Sequence, residues 1–164
     1  IQQARSERAV TASGNAPDRH AGTLRAAGKD VASWFGGRVM RVACAPQRDA
    51  RGVLLPFPFD AMPIAPVRAF VVSGVPAGTV RGGHAHVSCT QLLVCVQGRI
   101  EVCLRHAGDE LVLMLEAGAA GLLVAPGVWA RQCYVDASSV LLVFADEPYD
   151  PASYLDGAGT AACR

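Results

Sequence analysis

The sequence predicts an all-β protein, an antiparallel sandwich or barrel of about ten short strands. Three observations predict it. From Val39 onward, short apolar runs broken by Gly, Pro and Asp recur at near-regular spacing. "GRIEVCLR" has a period of two, with Ile100, Val102 and Leu104 on one side and Glu101, Cys103 and Arg105 on the other. No amphipathic helical stretch separates the runs.

Residues 1–36 read as an N-terminal extension, and residues 37–164 as the folded domain. The extension is rich in Ala, Arg, Ser and Gly and poor in large apolar residues, so it is expected to be partly disordered, with a short helix around 22–35. Strands are expected near 39–44, 51–57, 66–73, 79–86, 91–97, 99–105, 110–116, 121–125, 128–135 and 138–145. "HAGDEL" at 106–111 reads as a turn, with His106 solvated in it. The turn-rich tail "DEPYDPASYLDGAGTAACR" is expected to wrap the outside, with Tyr149 and Tyr154 as structural cover.

A chain of 164 residues, 51% of them hydrophobic, suits one domain with a real core. A formal net charge of +1 argues for neither nucleic acid nor an anionic membrane as partner. Of the 15 basic residues only Lys29 is a lysine. Arginine suits bidentate phosphate contacts, though this usage beside abundant Ala and Gly also fits a GC-rich coding bias. The six cysteines are scattered and read as small buried residues rather than bridges. No apolar run reaches the ~18 residues that span a bilayer, and the start has no positive-then-apolar signal. A cytoplasmic location is the expectation. A chain that begins with Ile1 reads as a processed or truncated product.

The chemistry points to "RGGHAHVSCTQLLVCVQG". On a strand, His84 and His86 project to the same face. Two histidines buried together without partners are costly, so a site is expected there. The spacing from Gly78 through His84, His86 and Gln91 to Gly98 resembles the first cupin motif, with Gln in place of Glu. "GLLVAPGVWARQCY" resembles the second, with Ala130 where a metal-binding His is expected. This resemblance implies a double-stranded β-helix, a barrel of the jelly-roll kind. Two imidazoles without the carboxylate and the third His are a poor divalent-metal site, so no metal or other cofactor is expected. Proton transfer by histidine is the chemistry that remains.

The segments "RGGHAHVSCTQLLVCVQGRIEV", "LLVAPGVWA" and "LLVFADEPYDPASYL" together resemble the WxcM-like sugar 3,4-ketoisomerases, over roughly residues 38–156. "DARGVLL" at 49–55 resembles an early segment of the same family, and Gln91 is the residue that family carries. The resemblance implies a metal-independent shift of the ketone of dTDP-4-oxo-6-deoxyglucose from carbon 4 to carbon 3, in deoxysugar biosynthesis. It implies His84 and His86 as the acid/base pair. It implies substrate contacts from Arg81 (sugar or phosphate), Arg51 (diphosphate), Gln91, Phe70 and Trp129 (a flat face for base or sugar). It also implies a homodimer, often with an exchanged N-terminal strand, here the one near 39–44.

Three positions depart from the family pattern: Val87 replaces a Lys, Ala130 a His, and Phe70 with Val71 a Tyr. They motivate one alternative, a sugar-nucleotide-binding cupin without catalysis. A metal-dependent cupin enzyme with an unlocated ligand is another.

Overall fold

The computed structural model describes residues 32–156. Thirteen strands occur among them, all paired antiparallel. They are β1 (Ser33–Trp34), β2 (Val39–Ala43), β3 (Gln47–Asp49), β4 (Gly52–Leu54), β5 (Arg68–Val72), β6 (Thr79–His86) and β7 (Gln91–Gln97). β8 (Arg99–His106), β9 (Asp109–Glu116), β10 (Ala120–Val124), β11 (Trp129–Tyr134), β12 (Val140–Ala145) and β13 (Tyr154–Asp156) follow. One sheet has the order β1-β2-β10-β7-β12-β5 and faces a second with the order β13-β6-β11-β8-β9; β3 and β4 form a separate hairpin. The expected all-β jelly-roll architecture is present. No helix among the described residues is long and apolar enough to cross a membrane.

Alternation assigns the faces. Ile100, Val102 and Leu104 are fully buried in the core between the sheets, while Glu101 and Arg105 on the other face are half-buried. The apolar run in β7 has no such alternation because both of its faces are covered. Leu93 and Cys95 point into the core. Leu92 and Val94 lie under Phe57, Met62 and Ile64 on the outside of the six-stranded sheet.

Several expectations are corrected. The stretch 51–57 is not one strand: only Gly52–Leu54 pairs, with β3, because Pro56 and Pro58 have no N–H to donate. The turn after β8 is only Ala107-Gly108, both with positive φ, and His106 is the last residue of β8, opposite Asp109. The half-buried His106 ring lies against Phe35, and its Nδ1 is 3.3 Å from the Gly127 carbonyl oxygen. At the end of the expected 22–35 helix, Ser33 and Trp34 form a strand; the rest of that helix lies outside the described residues. Cys44, Cys89, Cys95 and Cys103 carry free thiols, the last three buried, whereas Cys133 is disulfide-bonded.

Candidate active site

β6 carries the two histidines, and its geometry turns on a β-bulge. Ala130 of β11 pairs with His84, but the next residue, Arg131, pairs with Gly82, so the register slips at Gly82-Gly83. Both glycines have positive φ, +76° and +87°. In an unbroken strand, Arg81 and His84 would face opposite sides, being an odd number of residues apart. The bulge removes one step of the alternation. Arg81, His84 and His86 therefore all face the space between the sheets, as the cavity linings record.

Two adjoining cavities occupy that space. The outer one has a volume of about 210 Å³ and is lined by Phe70, Arg81, His84, Gln91, Gln132, Tyr134 and Tyr154, with an apolar wall of Leu93, Leu141 and Val143. The inner one, about 20 Å³, shares His84, Gln91 and Gln132 and adds His86, Cys89 and Ala130. His84 borders both cavities; His86 borders only the inner one.

The imidazoles stand edge to face, ring centroids 5.0 Å apart and planes at 86°. β13 pairs with β6 so that Tyr154 lies opposite His86. The Tyr154 ring therefore packs on both histidines, at 4.5 Å from His84 and 4.7 Å from His86. Tyr149 meets Tyr154 at 6.0 Å, and the Arg68 guanidinium lies over the rings of Phe70 and Tyr149.

His86 is only 8% exposed, and neither ring nitrogen makes a hydrogen bond among the described residues. Burial, then the charges of His84 and Arg68, push its pKa down to about 4, against a small opposing pull from Asp146. Its imidazole is neutral at physiological pH. Burial pushes the Tyr134 hydroxyl up to about 12, although Arg81 nearby works the other way. The Cys89 thiol is pushed up to about 11 by burial and by Asp146, so it is a packed thiol rather than a thiolate.

Of the expected site residues, the structure brings together His84, His86, Arg81, Gln91 and Phe70. Trp129 is not among them. One residue away from cavity-facing Ala130, it points to the opposite face of the sheet, where it packs on Ala85 and Cys103 with Arg105 over its ring. Its expected role as a flat face for base or sugar is corrected to outer packing. Arg51 also lies apart from the cavity in this chain. It is exposed on the β3–β4 hairpin and pairs with Asp49. Val87 is exposed beyond the end of β6, so the departure there lies outside the cavity, whereas Phe70 and Ala130 line it.

Four contributors lie outside the set of site residues expected from the sequence. Gln132 and Tyr134 follow from alternation along β11 once Ala130 is taken as inward. Arg68 follows in the same way from Phe70 on β5. Tyr154 had no such signal, because β13 is three residues long in a turn-rich tail.

Residues 39–159, most of the chain, match the family model "FdtA: WxcM-like, C-terminal". The chain belongs to this WxcM-like family. Among its relatives is the TDP-4-oxo-6-deoxy-alpha-D-glucose-3,4-oxoisomerase of Aneurinibacillus thermoaerophilus, 30% identical over 108 residues, or 65% of this chain and 78% of that protein. Among solved structures, the sugar 3,4-ketoisomerase QdtA from Thermoanaerobacterium thermosaccharolyticum, in complex with TDP, superposes with a TM-score of 0.69 at 27% identity, covering 74% of this chain and 89% of that one. A histidine-to-asparagine mutant of that enzyme, in complex with TDP-4-keto-6-deoxyglucose, gives the same TM-score at 26% identity, covering 73% and 88%.

Proposed function

We propose that this WxcM-like protein is a nucleotide-sugar 3,4-ketoisomerase that moves the ketone of dTDP-4-oxo-6-deoxyglucose from carbon 4 to carbon 3. One observation carries the reading: His84 and His86 stand edge to face in the lining of the inner cavity, and His84 also lines the adjoining outer cavity together with Arg81. A base removes the proton on carbon 3 while the oxygen on carbon 4 gains one, giving an enediol. The hydroxyl on carbon 3 then loses its proton as carbon 4 is protonated, which leaves the ketone at carbon 3. Each step is a proton transfer beside a carbonyl, and a neutral imidazole both accepts and donates. The Arg81 and Arg68 guanidiniums provide positive potential for the developing enolate charge. The apolar wall of Leu141 and Val143 suits the methyl group of a 6-deoxysugar.

The acid/base role of His84 and His86, the contacts from Arg81, Gln91 and Phe70, and the diphosphate contact of Arg51 belong to this proposal. So does a homodimer, supported by the exposed Val53, Leu54 and Phe59 around the β3–β4 hairpin. A second reading, dTDP-sugar binding without turnover, is favoured by Phe70 and Ala130, which bring no polar group to the cavity. An NMR time course separates the two. Chelator-treated protein is incubated with dTDP-4-oxo-6-deoxyglucose in deuterated water. A 3-oxo sugar with deuterium at carbon 4 supports the isomerase; binding without product or exchange refutes it.

A further inference from the structure

A general base is effective when a second group fixes its orientation and tautomer. Among the described residues His86 has no such group, since both of its ring nitrogens are buried without a hydrogen bond. A buried imidazole nitrogen left in that state forfeits its hydration with nothing in return. The inner cavity lies against the same ring. At about 20 Å³ it exceeds the roughly 10–15 Å³ that one water molecule requires. A buried water also needs two to four polar partners, and the lining offers two imidazoles and two carboxamides, those of His84, His86, Gln91 and Gln132. The cavity exists because Ala130, paired with His84 across the strands, extends only a methyl group into it.

We propose that this inner cavity is a binding site for a single water molecule, which hydrogen-bonds His86 and fixes its tautomer and orientation. The two glutamines anchor the water, whose remaining contact is a His86 ring nitrogen. Ala130 is then a positioning residue, whose small size keeps the site open. The contribution to turnover rests on the ketoisomerase reading; the water site itself does not.

The test combines a high-resolution crystal structure of the wild-type protein with two substitutions, Ala130→Val and Ala130→Ser. Expected are a density peak in the wild type within hydrogen-bond distance of a His86 ring nitrogen, and one dominant His86 tautomer in ¹⁵N spectra. Ala130→Val fills the site. It should remove the peak, mix the tautomers and slow turnover about tenfold or more, while dTDP binds within about threefold of wild type. Ala130→Ser retains a polar partner and should keep one tautomer and most of the activity. A dry cavity in the wild type overturns the proposal, as does a valine variant that loses the water with an unchanged His86 spectrum. A valine variant that does not fold leaves the decision to the wild-type density and the serine variant. A wild type that turns over no dTDP-4-oxo-6-deoxyglucose refutes the isomerase reading alone, and density and tautomer still decide the water site.

Discussion

The bulge at Gly82-Gly83 makes a comparison of two nearly identical substitutions informative. Alanine at either position would hold a left-handed backbone, at +76° or +87°, which costs about 1–2 kcal/mol. For a chain of this size that lowers Tm by about 2–8 °C. The surroundings differ sharply. A Cβ at position 83 meets only Trp129 Cζ2 at 3.8 Å, an ordinary contact on the outer face. A Cβ at position 82 falls 2.5 Å from Gln132 Oε1 and 3.1 Å from the Ala130 carbonyl oxygen. The Gln132 amide is a flexible end, so it moves aside at modest energetic cost, but it then leaves the wall it contributes to both cavities. Gly82→Ala and Gly83→Ala should therefore unfold at similar temperatures by circular dichroism. Gly82→Ala should in addition lose turnover of dTDP-4-oxo-6-deoxyglucose about tenfold relative to Gly83→Ala. Equal activities in the two variants would refute the claim that the bulge sets the cavity wall. Wild-type Tm values in both would refute the backbone argument as well.

Three other outcomes are expected. His86→Asn should abolish turnover in the NMR assay while dTDP affinity stays within a few-fold; activity surviving in both His84→Asn and His86→Asn would remove the acid/base pair from the mechanism. His86 has a folded pKa of about 4 against an ordinary 6.5, so the unfolded chain binds a proton between those values that the folded chain refuses. Its contribution to stability is complete above pH 6.5 and lost as pH falls to about 4, an effect of about 3 kcal/mol. Urea midpoints at about pH 7.5 and about pH 4.5 should converge in His86→Asn relative to wild type; an unchanged pH dependence in the variant would sink the assignment. Dialysis against a chelator should leave turnover unchanged, and activity restored only by added divalent metal would favour the metal-cupin reading instead.

What was legible in the sequence follows from where periodicity was strong. The strands expected at 79–86 and 91–97 match β6 and β7 at both ends, because apolar runs bounded by turn residues leave little freedom. The two-residue β1 and three-residue β13 are too short to have a period, so composition alone reads Tyr154 as cover, although its strand brings it onto both histidines. The merged strand at 51–57 failed for a different reason: its composition is apolar, but prolines stop the ladder.

Trp129 and Arg81 show the two ways in which alternation governs the site. The family resemblance implies a substrate contact for Trp129, yet parity with Ala130 alone places it on the outer face, as the structure has it. Arg81 is the reverse case. Parity with His84 alone would place it outside, and it faces the cavity because the paired glycines add one residue to β6 relative to β11. The alternation rule thus holds at Trp129 and is broken at Arg81, and the break is written in the sequence as Gly82-Gly83. A side chain longer than hydrogen at position 82 would both resist the left-handed turn and strike Gln132. The paired glycines are therefore part of the site's construction, since they bring the guanidinium onto the wall that carries the imidazoles.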